Sequence, residues 1–403
     1  MLTTPLPLPP SPPSSPPPSW FAPAPISAGF IAVLVGYTSS AAIVFQAAHA
    51  AGASAAQIAS WLLVLGLGMG LTCIGLSLYF RSPILTAWST PGAALLTTSL
   101  VGVPMGEAVG AFMFSSALLT LAGLTGGFER LMRYLPKALA AAMLAGVLLR
   151  FGLATFTALP EQGGLVGTMI GVFLLARRMQ SRYTLPLTLL AGLGVAWAQG
   201  SIQGGALTLA LAHPVWTTPV FSPATVLGVG VPLCVVTMAS QHVPGLAVLR
   251  ANGYTTPVSP LVSVTGLTGV VLAPFGGFAF NLAAITAAIC MSREASPDPV
   301  WRYRAAVWAG GFYVLTGLFG ATVVSLFTAL PLALVQAIAG LALLGTLANS
   351  LFAALHEEPL RESAILTFLV TASGMTLFGV GSAFWGLVLG GMAYALRHRP
   401  TGG

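Results

Sequence analysis

Charge is the scarcest commodity in this sequence: 6% of its 403 residues are Asp, Glu, Lys or Arg, where soluble domains carry about a quarter. No charged residue precedes Arg81. A chain this poor in charge cannot clothe a water-facing surface. With 56% hydrophobic residues and a mean hydropathy of +0.91, it reads as an integral membrane protein. Cysteine is scarce as well. Cys73, Cys234 and Cys290 lie far apart in apolar segments, with no CxxC and no His-rich partner sequence, so they read as packing residues and no metal is expected. There is no GxxxxGK phosphate loop to suggest that ATP drives anything, and no cofactor is implied. The loop "HEEPLRE" lacks the second histidine of a zinc protease. Only 8 acidic residues are present, most of them in connections, which leaves an intramembrane enzyme without its acid and base groups.

Proline, by contrast, is concentrated at the start. Eleven prolines in residues 1–25 remove backbone donors and favour an extended, solvated chain, so this stretch reads as a disordered cytoplasmic tail. It has neither the basic n-region nor the compact apolar h-region of a secretory signal.

Apolar segments follow at roughly 26–48, 56–79, 84–98, 105–126, 135–156, 163–176, 184–199, 224–241, 258–273, 278–291, 303–326, 331–353, 363–377 and 381–396. With both termini cytoplasmic, fourteen of the fifteen basic residues fall on one side, as the positive-inside rule requires. The net charge of +7 is therefore a topology signal, and no clustered basic stripe suggests nucleic acid. Arg150 is the exception. It lies about 20 Å along a helix from Lys137 and is expected to snorkel outward near Glu161.

A shift of 201 residues lays "AGASAAQIASWLLVLGLG" (51–68) over "NGYTTPVSPLVSVTGLTG" (252–269), matching Gly52 to Gly253. Each half then holds seven segments, an odd number that inverts the second copy: the 7+7 inverted-repeat plan of secondary transporters. In each half the third segment is broken. "SPILTAWSTPGAALLTTSL" carries Pro83 and Thr90-Pro91-Gly92, and its counterpart, the tenth, carries Pro274 and Gly276-Gly277. Irregular backbone at membrane depth is tolerated only where protein or a water-filled cavity satisfies it, so two matched breaks mark a binding site. Each break also starts a half-helix, whose free amides and dipole favour an anion. Small residues four apart, Gly102/Gly106/Gly110 and Gly163/Gly167/Gly171, permit close helix approach.

Four stretches carry a family resemblance: "APISAGFIAVLVGYTSSAAIVFQAA", "SPILTAWSTPGAALL", "MASQHVPGLAVLRANGY" and "PFGGFAFNLAAITAAICMSREA". Together they resemble the bacterial benzoate/proton symporter family, from about Ile26 to Arg397. More distantly the chain looks like the uracil-permease and anion-exchanger architecture. The resemblance implies an all-α polytopic membrane protein with a core domain (26–128 and 222–326) and a gate domain (129–221 and 327–399), often as a homodimer in the bacterial inner membrane.

It also implies a site on the first, third, eighth and tenth segments. Gln241 stands where uracil-type relatives carry a glutamate. A glutamine amide donates to a carboxylate that a fixed glutamate would repel. His242 beside it reads either as a buried core histidine or as a proton carrier. Tyr37 and Ser40 offer hydroxyls to a carboxylate or to the preceding helical turn. Trp88, Ser89 and Thr90 stand at the third-segment break. Trp88, Phe275, Phe278 and Phe280 could sandwich a flat ring or face lipid, and Asn281 could cap the second half-helix or touch substrate. Glu107, at the expected start of segment four, is either a first-turn acid favoured by the helix dipole or a second proton-route candidate.

The expected function is import of an aromatic carboxylate with a proton, because moving a monovalent anion into a negative interior costs about 2.3 kcal/mol per 100 mV and one proton cancels that charge. The alternatives are an anion exchanger or nucleobase-type permease on the same fold and, less favoured, a channel or an intramembrane enzyme.

Overall fold

The computed structural model describes residues 19–127, 136–179, 183–202, 209–378 and 380–397. The tail through residue 18, and with it Arg130, Arg133, Arg182 and Arg399, lies outside the described residues. Helix α1 (Pro23–Ala50) begins three residues inside the expected tail, because a proline in the first turn forfeits no hydrogen bond. Helix α2 (Ala55–Phe80) opens on a capping box in which Ser54 and Gln57 satisfy each other's backbone amides. The turn between them recurs 201 residues later. Gly52 at φ +71° donates to His49 and Ala53 to Ala48; Gly253 at φ +84° donates to Arg250 and Tyr254 to Leu249.

After strand β1 (Thr86–Trp88) come α3 (Thr90–Ser99), α4 (Met105–Leu124), α5 (Lys137–Thr157), α6 (Gly163–Arg178) and α7 (Thr184–Ala198). The second half holds α8 (Pro223–Ala251), α9 (Val258–Leu272), β2 (Phe280–Leu282), α10 (Ile285–Cys290), α11 (Tyr303–Leu318), α12 (Gly320–Ala329) and α13 (Leu332–Leu355). It closes with α14 (Arg361–Ser373), a hairpin of β3 (Thr376–Leu377) and β4 (Val380–Gly381), and α15 (Ser382–Arg397).

Six of the described helices are long and apolar enough to cross a bilayer, or up to eight if each of two bent pairs is one span. The eleventh segment is such a pair, bent by 63° between α11 and α12. The eighth runs ten residues beyond its expected end at 241. Two π-helical turns, Val226–Gly230 and Met238–His242, each stand just ahead of a proline, Pro232 and Pro244. The wider turn makes room for a ring that would otherwise strike the helix, so the prolines kink α8 without ending it.

Helix α2 lies against α11 so closely that a Cβ on Gly66 would stand 2.6 Å from the Gly317 Cα. Helix α4 packs along α9, α5 along α13, α14 against α5 and α15, and α6 against α7. An extended stretch ahead of α8 ties the ends of several helices: Ala212 donates to Leu318, Val215 to the Ser60 hydroxyl, Thr217 to Pro274 and Val220 to Gly106. Gly106 and Gly110 seat this strap, whereas Gly163, Gly167 and Gly171 have no neighbour within 4 Å for a Cβ to meet. Arg150 Nη2 donates to Ala372 at 3.5 Å at the C-terminus of α14, where the helix dipole favours a cation.

The tenth segment breaks where α9 passes into a 3-10 turn, Ala273–Phe275. Gly276 then takes φ +95° with its Cα against Trp61, where a Cβ would lie 1.7 Å from the indole. Gly276→Ala is therefore expected to lose about 2 kcal/mol or more, read as a lower Tm of the purified protein, with Gly75→Ala, where a Cβ meets nothing within 4 Å, as the control.

Candidate functional site

The two broken segments meet. Strands β1 and β2 pair antiparallel, with Thr86 opposite Leu282, Ala87 opposite Asn281 and Trp88 opposite Phe280. Ser89 donating to Ala279 at 3.0 Å and Ala283 to Leu85 at 2.9 Å extend the ladder at both ends. A two-stranded ladder still leaves outer edges, and α2 supplies partners for the one on β1. The Ser77 hydroxyl both donates to and accepts from Ile84, the Thr86 amide donates to Cys73 Sγ, and the Trp88 amide donates to Met69 Sδ. The Thr72 and Thr86 hydroxyls share a 2.6 Å hydrogen bond. This explains the Ser, Thr and Cys residues on an otherwise apolar helix.

Each strand hands over to a short helix, α3 at Thr90 and α10 at Ile285. A cavity of about 550 Å³ opens there. Of the residues expected at the site, Ser40, Trp88, Thr90 and Gln241 line it. Trp88 is locked in place: its Nε1 donates to Ser40 Oγ at 2.9 Å, Ser40 Oγ donates to Gly36 at 2.7 Å, and Tyr37 packs edge-on with ring centres 4.9 Å apart. Tyr37 stands behind Trp88, outside the lining. The π turn of α8 turns Gln241 to the cavity and sends His242 the other way, fully buried against the Phe280 backbone.

The other expected residues have structural positions. Ser89 caps α3 by accepting from the Gly92 amide at 2.9 Å, so one of the amides foreseen for an anion is already occupied. Asn281 sits inside β2, four residues ahead of α10, and donates to Ala279; it caps no helix. Phe278 packs with Trp61 and Phe112 at 5.7 and 5.5 Å, Phe280 is buried over Gly68, and Phe275 meets Trp216, all away from the cavity. Glu107 accepts from the Thr225 hydroxyl where α4 and α8 begin, and His242 lies roughly 25 Å further along α8. The two proton candidates are thus separated.

Sequence reasoning missed part of the lining. Lys137, Ala140, Ala141 and Leu144 present one face of α5, and Thr346, Asn349, Ser350 and Ala353 one face of α13. The helical spacing of Lys137 with the alanines, and the polar pair inside an apolar segment, were the available signals. Among the described residues that line the cavity, Lys137 carries the one charge and no acid is present.

A helical membrane protein whose broken segments meet over a largely apolar cavity, with no acid among the described residues that line it, has the build of a membrane transport protein. Solved structures share the fold. The transmembrane domain of a cyanobacterial bicarbonate transporter, BicA, is similar at a TM-score of 0.55 and 12% identity, over 91% of this chain and 97% of that one. SLC26A9 is similar at 0.58 and 15%, over 92% and 65%. The sequence defines the family. The profile of the benzoate membrane transport protein family matches residues 19–396, and the chain belongs to that family. It is 50% identical to the inner membrane protein YdcO of Escherichia coli K12 over 96% of this chain and 97% of that one. It is 38% identical to a benzoate membrane transport protein of Acinetobacter baylyi, over 93% and 95%. It is a transporter and not an enzyme.

Trp88→Phe should cost about 1 kcal/mol for the lost bond to Ser40, and Trp88→Ala about 3 kcal/mol or more. Denaturation of the two variants in detergent checks the ordering.

Proposed function

We propose that this protein imports an aromatic carboxylate, benzoate or a close relative, together with a proton across the bacterial inner membrane. The observation that carries the reading is the cavity at the paired strands, which offers hydroxyls, an indole and a glutamine amide, with no carboxylate among the described residues that line it to repel an anion. The carboxylate sits by Gln241, Thr90 and the start of α10, which has no side-chain cap, and the ring lies along Trp88. His242, one residue beyond Gln241, carries the proton. Tyr37, Ser40, Ser89, Phe278, Phe280 and Asn281 hold the walls of the site, and Glu107 secures the outer ends of α4 and α8. The family and the name of the Acinetobacter relative support the substrate, and that of the Escherichia relative supports the inner membrane.

In the same reading the chain crosses fourteen times as a 7+7 inverted repeat, with both termini cytoplasmic. The matching Gly52 and Gly253 turns and the antiparallel meeting of segments three and ten support that symmetry. The core domain (26–128 and 222–326) carries the site and moves against the gate domain (129–221 and 327–399), and the working unit is a homodimer. Cotransport of one proton removes the charge that would otherwise drive the anion outward.

Reconstituted into liposomes, the protein should take up radiolabelled benzoate down an inward proton gradient, with alkalinisation outside. Uptake without proton movement contradicts symport and favours exchange. Benzoate should raise the Tm of the purified protein where uracil and sulfate do not. Gln241→Glu should abolish that shift while leaving the protein folded; an unchanged shift contradicts the placement of the carboxylate.

A further inference from the structure

The cavity is longer than its substrate site. From Lys137 to Leu144 one face of α5 covers about 10 Å of its wall. Helix α13 runs antiparallel beside it: Gly340 meets Phe151 and Thr155, whereas Ala354 packs with Ala138 and Ala142. The last turns of α13 therefore lie level with the first of α5, and on that register Asn349 and Ser350 stand beside Leu144, about 10 Å deeper along the cavity wall than Lys137. Lys137 is exposed, and it belongs to the set of basic residues that the positive-inside rule assigns to the cytoplasm.

A positive-inside residue need only be near the membrane surface, and this one lines the route itself. No acid is among the described residues that line the cavity. An anion leaving the strand end passes the amide of Asn349 and the hydroxyl of Ser350 and then meets the Lys137 ammonium group, all able to donate to a carboxylate. We propose that Lys137 forms a second carboxylate station at the cytoplasmic mouth, which the substrate reaches past Asn349 and Ser350 and occupies between the central site and release. This rests on the transport reading of the same cavity.

The station has a kinetic signature that general damage lacks. Stabilising an intermediate on the inner side lowers the KM for substrate presented from the cytoplasm and slows its onward step. The ratio Vmax/KM in each direction stays fixed. In inside-out vesicles, Lys137→Gln should raise the efflux KM about three- to tenfold with Vmax rising in proportion, and leave influx Vmax/KM in right-side-out vesicles unchanged. Lys137→Arg should stay within about twofold of the unsubstituted protein. Raising the salt from about 50 to about 300 mM should increase the efflux KM of the unsubstituted protein and not that of Lys137→Gln. An efflux KM indifferent both to the substitution and to salt overturns the proposal, as does a fall of Vmax/KM by the same factor in both directions. If Lys137→Gln does not fold, the salt dependence of the unsubstituted protein decides alone. If the unsubstituted protein carries no aromatic carboxylate in either orientation, it is the transport reading that fails.

Discussion

Everything in this fold follows from the need to satisfy peptide groups where no water is available. A strand at membrane depth exposes N–H and C=O groups, each costing several kcal/mol if left bare. The protein meets that demand by pairing β1 with β2 and by aligning Ser77, Thr72, Cys73 and Met69 of α2 along the free side of β1. Because the ladder joins segments some 190 residues apart in sequence, it also fixes the spatial relation of α3 to α10. The cavity opens where those two helices begin.

That arrangement accounts for the chemistry of the lining. Gln241 reaches the cavity and His242 the interior although they are neighbours, because the π turn Met238–His242 redirects the helix face just ahead of Pro244. Trp88 is held by Ser40 and Tyr37 from α1, so the first, third and eighth segments act on one wall. The lining is largely apolar, with the Thr90 hydroxyl and the Gln241 amide set into it as donors.

Much of this was legible in the sequence. The breaks at Thr90-Pro91-Gly92 and Gly276-Gly277 announced themselves because proline and glycine in an apolar run have few other meanings, and the positions of most helices followed from hydropathy. Side-chain direction was not legible. Phe278, Phe280 and Asn281 lie at the break and all three are buried, and nothing in their spacing distinguishes a cavity wall from a buried cluster such as that of Phe278 with Trp61 and Phe112. The length of α8 was hidden because the expected segment stopped at 241, whereas the helix runs on past Pro244 to Ala251. Lys137 was visible as a topology marker, but its place in the cavity depends on packing of α5 against α13, a contact across some 200 residues that periodicity does not encode.

The central claim is that the paired strands create the substrate site. A cryo-electron microscopy structure of the reconstituted protein with bound benzoate tests it most directly. The account predicts density for the ring against the Trp88 indole and for the carboxylate between the starts of α3 and α10, beside the Gln241 amide. Density elsewhere, with this cavity empty at saturating benzoate, or segments three and ten running as unbroken helices, would contradict it.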